Sequence, residues 1–137
     1  MTKSPEDQER GFDAGRLIDE AKTAVVIAEQ NDRFRYSFGA DPAVPGRIVV
    51  TQGVAALGRD AGLRIVVAVM RFADFSEDND PHGWRDFGAF EIEDGGRAVR
   101  LYWKIDLYDA DYRFGSEVPE DPACTRRVLT ILLPDEW

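Results

Sequence analysis

The chain has 137 residues, 44% of them hydrophobic, and a formal net charge of −9. This length suits one domain, and the apolar fraction excludes a chain that stays disordered for lack of core material. Residues 73–123 contain fourteen acidic and five basic side chains and therefore hold the whole net charge. Because nucleic-acid binding needs a basic excess facing the phosphates, direct nucleic-acid binding is disfavoured and a protein partner with a basic surface is favoured.

The sequence leads us to expect neither a membrane span nor a targeting signal. No apolar run approaches the roughly 18–20 residues that span a bilayer, and the first seven residues are polar instead of forming an apolar signal core. The single cysteine cannot form an internal disulfide, which suits a reducing compartment. We therefore predict a cytoplasmic protein without a membrane partner, and the sequence leaves the oligomeric state open.

The first third of the chain predicts one helix behind a flexible start. Residues 1–15 combine charged side chains with two glycines, so we expect a frayed lead-in to a single domain over residues 16–137. From residue 16, apolar side chains recur at spacings of three and four, which predicts a helix that ends near residues 31–32. Residues 33–38 alternate polar and aromatic side chains, which predicts a short strand or an extended exit.

A second helix is predicted from Asp60, whose carboxylate can cap the first turn. Gly53 and Gly58 come before it and mark a turn. The side chains of this helix that we expect to face the core are Leu63, Val66, Val67, Met70 and Ala73.

Four segments have the β-branched or alternating composition of strands, namely residues 47–51, 87–92, 97–109 and 126–133. The second and third are joined by Glu-Asp-Gly-Gly at 93–96, which predicts a β-hairpin. The last is apolar on both faces and is expected inside the sheet. Together these elements predict an α+β domain in which an antiparallel sheet of about four strands carries two helices packed on one face.

The predicted strand over residues 97–109 alternates strictly, so its two sides face different surroundings. The side chains expected to point to the core are Val99, Leu101, Trp103, Ile105 and Leu107. The side chains expected to point outward are Arg100, Tyr102, Lys104, Asp106 and Tyr108. Because Tyr and Arg are favoured where binding energy concentrates at interfaces, the outward face is a candidate binding surface, although contact with solvent also explains it.

Residues 74–86 are strongly acidic and rich in turn-forming residues, which predicts a loop. Its candidate binding residues are Asp78, Asn79, Asp80, His82 and Asp86. Asp78 and Asp80 resemble the start of a calcium loop, but Ala89 stands where a bidentate Glu is needed. The carboxylates and His82 can instead bind another divalent metal, or they only form turns. We favour turn formation and predict no metal and no cofactor.

Catalytic groups are scarce in the sequence. His82 is the only histidine and, beside Pro and Gly, is expected to be exposed instead of catalytic. Cys124 and His82 can in principle form a nucleophile–base pair, but no nucleophile elbow surrounds the thiol, so we expect a small, partly buried cysteine. Phosphate-binding Gly-rich loops, zinc-spaced Cys or His pairs and serine-triad motifs are missing. We therefore predict no catalytic residue and favour a protein that is not an enzyme.

Six collinear blocks together match a family pattern. They are Asn-Asp-Arg-Phe-Arg at 31–35, Thr-Gln-Gly-Val-Ala-Ala-Leu at 51–57, Asn-Asp-Pro-His-Gly at 79–83, Asp-Phe-Gly at 86–88, Trp-Lys-Ile-Asp-Leu-Tyr-Asp at 103–109, and Thr-Arg-Arg-Val-Leu-Thr-Ile-Leu-Leu at 125–133. Over about residues 30–137 the chain resembles the family called domain of unknown function 3768. The resemblance implies a proteobacterial protein often carried on plasmids and other mobile elements, and it implies no established activity.

One position pair departs from that family pattern, which often has an acidic residue and a histidine just before Asp-Phe-Gly. Trp84 and Arg85 occupy those two positions here. An acid/base or metal role that depends on the family histidine therefore does not carry over to this chain.

These observations leave a leading hypothesis and an alternative. The leading hypothesis is a non-enzymatic bacterial accessory factor whose acidic region, residues 74–121, binds a basic protein surface. On a mobile element, its carboxylates can imitate nucleic-acid phosphates and act in counter-defence. The alternative is a small enzyme or metal-binding domain in which the side chains of the acidic loop converge with shifted pKa values, namely Asp78, Asp80, His82 and Asp86, with Lys104 and Asp106 nearby. A third hypothesis is oligomerisation through exposed sheet edges.

Overall fold

The computed structural model describes residues 13–137 of the chain. Its helices are α1 (Ala14–Tyr36), α2 (Gln52–Ala55) and α3 (Arg59–Arg71), and a 3₁₀ turn follows at Pro134–Glu136. Its strands are β1 (Gly46–Val50), β2 (Phe87–Asp94), β3 (Arg97–Tyr108) and β4 (Arg126–Leu132). None of the helices in this part of the chain is long and apolar enough to cross a membrane.

The four strands form one mixed sheet in the order β1-β4-β3-β2. β2 pairs with β3, and β3 with β4, in antiparallel fashion, whereas β1 runs parallel to β4. The α+β class and the four strands are thus confirmed, but the prediction of a wholly antiparallel sheet is wrong. A parallel pair needs a long connection, and here α3, β2 and β3 all lie between β1 and β4. The composition of β1 does not encode which later strand it joins.

The predicted hairpin is confirmed. Asp94 pairs with Arg97, and the turn between them consists of Gly95 and Gly96. Their φ values are 59° and 82°, in the left-handed region where glycine has no steric penalty. Two successive residues with positive φ give the turn the twist that joins two antiparallel strands tightly.

One apolar cluster fills the space between the sheet and the helices. The predicted inward face of β3 contributes Leu101, Trp103 and Ile105, all buried as expected. β4 lies inside the sheet as predicted and adds Leu129 and Ile131 to the same cluster. The helical members of the cluster are Phe34, Val54, Ala61, Ile65 and Val69. Both long helices therefore contribute to the core.

The predicted core stripe of the second helix is wrong. Leu63 and Val67 are 57% and 48% exposed, while Ile65 and Val69 are fully buried. The helix carries apolar residues at two sets of helical spacings, and only the position of the sheet decides which set is covered. Asp60 lies in the first turn and is not the cap; the N-cap residue is Gly58.

The helix α1 extends further than predicted and includes most of the segment expected to be a strand or extended exit. It reaches Tyr36, and two features stabilise its last turns: Asp32 and Arg35 form an ion pair at 2.7 Å, and Phe34 is completely buried. The basic residues in its last turn also interact favourably with the carbonyl end of the helix. Tertiary contacts thus override the alternating pattern of residues 33–38.

The two halves of α1 have different surroundings. Every residue from 14 to 22 is exposed, whereas contact with the core begins at Ile27. Asp13 accepts a hydrogen bond from the Arg16 amide, at 3.0 Å, and so caps the helix start. Most of the predicted lead-in, residues 1–12, lies outside the described residues, and the helix starts within its last two positions. The apolar stripe predicted on this helix exists, but its first half faces solvent.

Candidate functional site

Two long loops meet at one end of the sheet. The first acidic loop, residues 73–86, leads into β2, and the second acidic loop, residues 109–125, joins β3 to β4. Phe87 pairs with Lys104 near the end of β3, so the start of β2 lies beside that end. Each loop has five acidic and one basic side chain, which gives a net charge of −4 per loop. We call this region the acidic end; the hairpin turn lies at the opposite end of the sheet.

The first acidic loop is shaped by two of its own predicted site residues. Asn79 accepts a hydrogen bond from the Ser76 amide, at 2.7 Å, and donates one to the Asp74 carbonyl, at 2.8 Å. Asp80 accepts a hydrogen bond from the Arg85 amide, at 3.0 Å. Asn79 and Asp80 therefore act first as turn-forming residues, while Asp78 and His82 are exposed on the same loop.

The end of this loop is bound to α1 through Trp84 and Arg85. The Trp84 carbonyl accepts a hydrogen bond from Asn31 Nδ2, at 2.8 Å. Arg85 NH1 donates to Asp32 Oδ2, at 2.6 Å, and this hydrogen bond raises the pKa of the Arg85 guanidinium. Arg85 has a φ of 53°, and both its amide and its side chain form hydrogen bonds that hold the loop. These contacts fix the loop against the helix.

Asn31 also binds the buried guanidinium of Arg127, a residue that was not predicted from the sequence. Arg127 is fully buried, and its Nε and NH2 donate to Asn31 Oδ1 and Gln30 Oε1, both at 2.8 Å. Within residues 13–137, no carboxylate lies within ion-pair distance of Arg127, and its NH1 has no hydrogen-bond partner. Burial lowers the pKa of Arg127 to about 10. Its alternation with the inward residues Leu129 and Ile131 was a signal that this arginine faces the helices.

Arg35, in the last turn of α1, is a second fully buried arginine. It pairs with Asp32, donates to the Phe72 carbonyl at 2.9 Å, and lies 5.1 Å from the centre of the Trp103 ring. Cation–π contact and hydrogen bonds together offset the cost of burying this charge. The i,i+3 spacing of Asp32 and Arg35 was the available sequence signal.

The second acidic loop is held by its own carboxylates and by α1. Asp109 accepts hydrogen bonds from the amides of Arg113 and Asp111, at 3.0 and 3.2 Å, and these bonds lower the pKa of its carboxyl group. The Glu120 carbonyl accepts a hydrogen bond from Gln30 Nε2, at 2.7 Å. The two acidic loops are therefore attached to neighbouring residues of one helix.

Cys124 lies on the second acidic loop and is exposed, so the prediction of a partly buried cysteine is wrong. Its loop position places it beside Asp121, whose carboxylate lies 3.5 Å from the sulfur. The hydrogen bond to Asp121 and the charge of that carboxylate raise the pKa of the thiol. A thiol with a raised pKa is a poor nucleophile at neutral pH.

Among the predicted site residues, Asp86 fits the enzyme or metal hypothesis best, because its pKa is shifted and other predicted site residues are near it. Burial raises its pKa, and the carboxylates of Asp80 and Asp106 add to the effect, while its own amide and His82 oppose it. Between residues 13 and 137, no group of three or more His, Cys, Asp or Glu side chains is arranged to hold a metal ion. Asp86 is thus near other predicted site residues without forming a ligand cluster with them.

The outward face of β3 also lies partly at the acidic end. Lys104 forms an ion pair with Asp106, at 3.1 Å, and lies 5.3 Å from the centre of the Trp137 ring. The rings of Phe87, Tyr102 and Trp137 contact one another at centre distances between 5.3 and 6.0 Å. Arg100 is exposed nearer the hairpin turn. Tyr108, at the other end of β3, makes a β-bridge with the second acidic loop. The exposed ring of Trp137 was not anticipated from the sequence.

A groove of about 670 Å³ separates the exposed half of α1 from the first acidic loop. Asp13, Asp19 and Glu20 line the helix side, and His82 and Trp84 line the loop side. Within the helix wall, Arg16 pairs with Glu20 at 3.1 Å. The groove therefore combines carboxylates with an aromatic wall, and a cationic side chain can interact with both.

Comparison with known proteins identifies the chain's family. The family model described as protein of unknown function DUF3768 matches residues 50–136, from the end of β1 to the final 3₁₀ turn. The block at 31–35 that contributed to the resemblance lies before this match. No curated protein and no solved structure matches the chain. Because the family model covers more than half of the sequence, the chain belongs to the DUF3768 family.

Proposed function

We propose that this protein is a non-enzymatic accessory factor that binds a basic surface of a protein partner through its acidic end. The observation that carries the proposal is the meeting of two loops of net charge −4 at one end of the sheet. A concentrated negative field attracts a basic partner and speeds its association. The hairpin at the other end has no comparable loop.

The side chains at the acidic end have the exposure that such binding requires. The exposed carboxylates of the two loops are Asp74, Glu77, Asp78, Asp111 and Glu117. The groove beside His82 and Trp84 adds an aromatic surface for an Arg or Lys side chain of the partner. The outward residues Lys104 and Asp106 lie at the border of this surface and contribute polar contacts.

A more specific version of the proposal concerns a bacterial mobile element. Grooves that bind nucleic acids are built from Arg and Lys, and clustered carboxylates can occupy them in place of phosphates. In this version the acidic end imitates nucleic acid and blocks a host defence protein. Binding would then compete with nucleic acid and weaken steeply as salt is added.

The second candidate function, a small enzyme or metal-binding domain, rests on the raised pKa of Asp86 and on its closeness to Asp80, His82 and Asp106. A nucleophile and a base within hydrogen-bond reach of each other would be needed in addition. The acidic end supports binding by many carboxylates more strongly than it supports catalysis by this one carboxyl.

The test is affinity capture of the tagged protein from a proteobacterial lysate, with two charge-matched variants. The first is Glu77→Gln/Asp78→Asn, in the first acidic loop. The control is Glu91→Gln/Glu93→Gln, which removes the same charge from exposed positions toward the hairpin. Asp80 is left intact because it shapes the loop.

We expect a basic protein to be retained by the wild type and by the control, and lost with the first variant or at raised salt. Equal retention by all three proteins, with no effect of salt, would contradict binding through the acidic end.

A further inference from the structure

The exposed half of α1 has an apolar groove on the side away from His82 and Trp84. Its apolar lining consists of Ile18, Ala21, Val25 and Val26, and its polar lining of Lys22 and Glu29. Ile18 and Val25 are 53% and 56% exposed, although they belong to one helical stripe. We propose that this groove pairs with the same groove of a second copy of the chain, with the two α1 helices antiparallel.

The exposure of the first half of α1 suggests that another surface covers it. Residues 14–26 precede the contact with the core that begins at Ile27, so this half gains little from tertiary packing. An isolated helical segment of this length is only marginally stable in water, and helices in proteins are stabilised chiefly by burial of an apolar face. Here the apolar face is present along the segment, and a second helix would cover it.

The charges at the groove favour a second copy over a basic partner. The groove carries one cation and one anion, Lys22 and Glu29, and is therefore neutral, unlike the acidic end. A surface with one charge of each sign can be complementary to itself under two-fold symmetry. A basic protein would gain nothing at Lys22, and it would find far more carboxylates in the two acidic loops.

The same charges select the antiparallel orientation. With a two-fold axis at the midpoint of residues 18–29, Lys22 lies level with Val25 of the other copy. Glu29 of that copy is then four residues away, about 6 Å along the helix axis, which the two long side chains can bridge. A parallel pair would instead set Lys22 beside Lys22 and Glu29 beside Glu29, which is unfavourable. The small side chain of Ala21 allows the helices to approach closely in the middle of the pair.

The small area of the contact between the two helices limits the affinity of the dimer. Three turns of helix bury much less than the roughly 800 Å² per partner of a standard interface. We therefore expect a weak dimer that forms as the protein concentration rises through the micromolar range. This dimer does not depend on the proposed function, because it uses neither acidic loop.

The first experiment is sedimentation velocity over a range of concentrations. Val25→Asp places a charge in the middle of the groove and should give a monomer at every concentration. The matched control is Val67→Asp on α3, an apolar position of similar exposure, 48%, which should dimerise like the wild type. A wild type that stays monomeric throughout, or a Val25→Asp variant that still dimerises, would overturn the proposal.

The orientation is tested by charge reversal and by cross-linking. Lys22→Glu and Glu29→Lys should each weaken the dimer at least several-fold, and the double variant should restore it. In a Cys124→Ser background, Ala21→Cys mixed with Val26→Cys should form a mixed disulfide under mild oxidation, since these two groove positions lie level with each other in the antiparallel pair. Arg16→Cys, on the side that lines the other groove, should not cross-link with either. Failure of the double variant to recover, or cross-linking through Arg16→Cys, would exclude this arrangement.

Discussion

The two halves of α1 belong to one continuous helix and make opposite use of their side chains. Residues 27–36 bury Phe34 in the core and hold polar groups under the acidic end. Residues 14–26 present Ile18 and Val25 to solvent. Apolar side chains recur at helical spacing in both halves. This periodicity shows which residues share one face of the helix, but it does not show what covers that face. Substitutions should therefore have large effects in the second half and small effects in the first.

The largest effect is expected from Gly46→Val, which breaks the site where the second half of α1 rests on the sheet. A Cβ atom at Gly46 would lie 2.6 Å from a ring carbon of Phe34 and would collide with the Arg127 carbonyl. We expect the free energy of unfolding to fall by about 4 kcal/mol or more in chemical denaturation. Gly62→Ala is the control, since a Cβ atom there meets no other atom within 4 Å and a Gly→Ala change within a helix stabilises by up to about 1 kcal/mol. Equal stability of the two variants would contradict this account.

The next largest effect is expected from Asn31→Ala, which removes the amide between the Trp84 carbonyl and Arg127. Because a buried guanidinium then loses an acceptor, the free energy of unfolding should fall by about 2–4 kcal/mol. Asp19→Ala in the exposed half should change it by less than about 0.5 kcal/mol. Denaturant titrations at low protein concentration compare the two variants directly. A small effect of Asn31→Ala would show that the hydrogen bonds of Asn31 are not needed for stability.

A pH dependence is expected from Asp86, in the loop that the second half of α1 holds. Its folded-state pKa is raised above the ordinary value of 3.8, chiefly by burial. Its contribution to stability is therefore fully present below that value and is lost as the pH rises through the folded-state pKa. The wild type should lose stability relative to Asp86→Asn between pH 3 and neutral pH, roughly the range in which carboxyl groups ionise. Thermal unfolding across this range measures the difference, and a constant difference would contradict the raised pKa.

The smallest effect is expected from Gly15→Ala in the exposed half. Alanine is favoured over glycine by up to about 1 kcal/mol within a helix, and the site has space for a methyl group. Because this half is exposed and we expect it to unfold locally, helicity measured by circular dichroism should rise while the denaturation midpoint stays unchanged. A clear shift of the midpoint would mean that the two halves unfold together.

The fold could be predicted from the sequence wherever local chemistry decides it. Gly95 and Gly96 gave the hairpin, and the strict alternation of β3 gave its inward face. The buried face of α3 and the parallel pairing of β1 could not be predicted, because each depends on a partner far away in the sequence. The buried Arg127 is a similar case, since its acceptors lie about a hundred residues earlier on α1.

The candidate site was predictable in part for the same reason. Charge counting located the acidic loops, and turn chemistry explains Asn79 and Asp80. That the two loops meet at one end follows from the predicted hairpin, because the start of β2 and the end of β3 lie side by side in it. The groove beside Trp84 depends on where α1 emerges from the domain, which no local pattern encodes.

Three consecutive residues of α1 fix the geometry of the acidic end. Gln30 binds the second acidic loop, Asn31 binds the Trp84 carbonyl, and Asp32 binds Arg85. These three side-chain contacts attach both loops to the same turn of helix. For the binding proposed above, these contacts mean that the charge pattern is arranged in advance, so little conformational entropy would be lost on association. Under that proposal, partners would be selected by the spacing of their cations as well as by the number of cations.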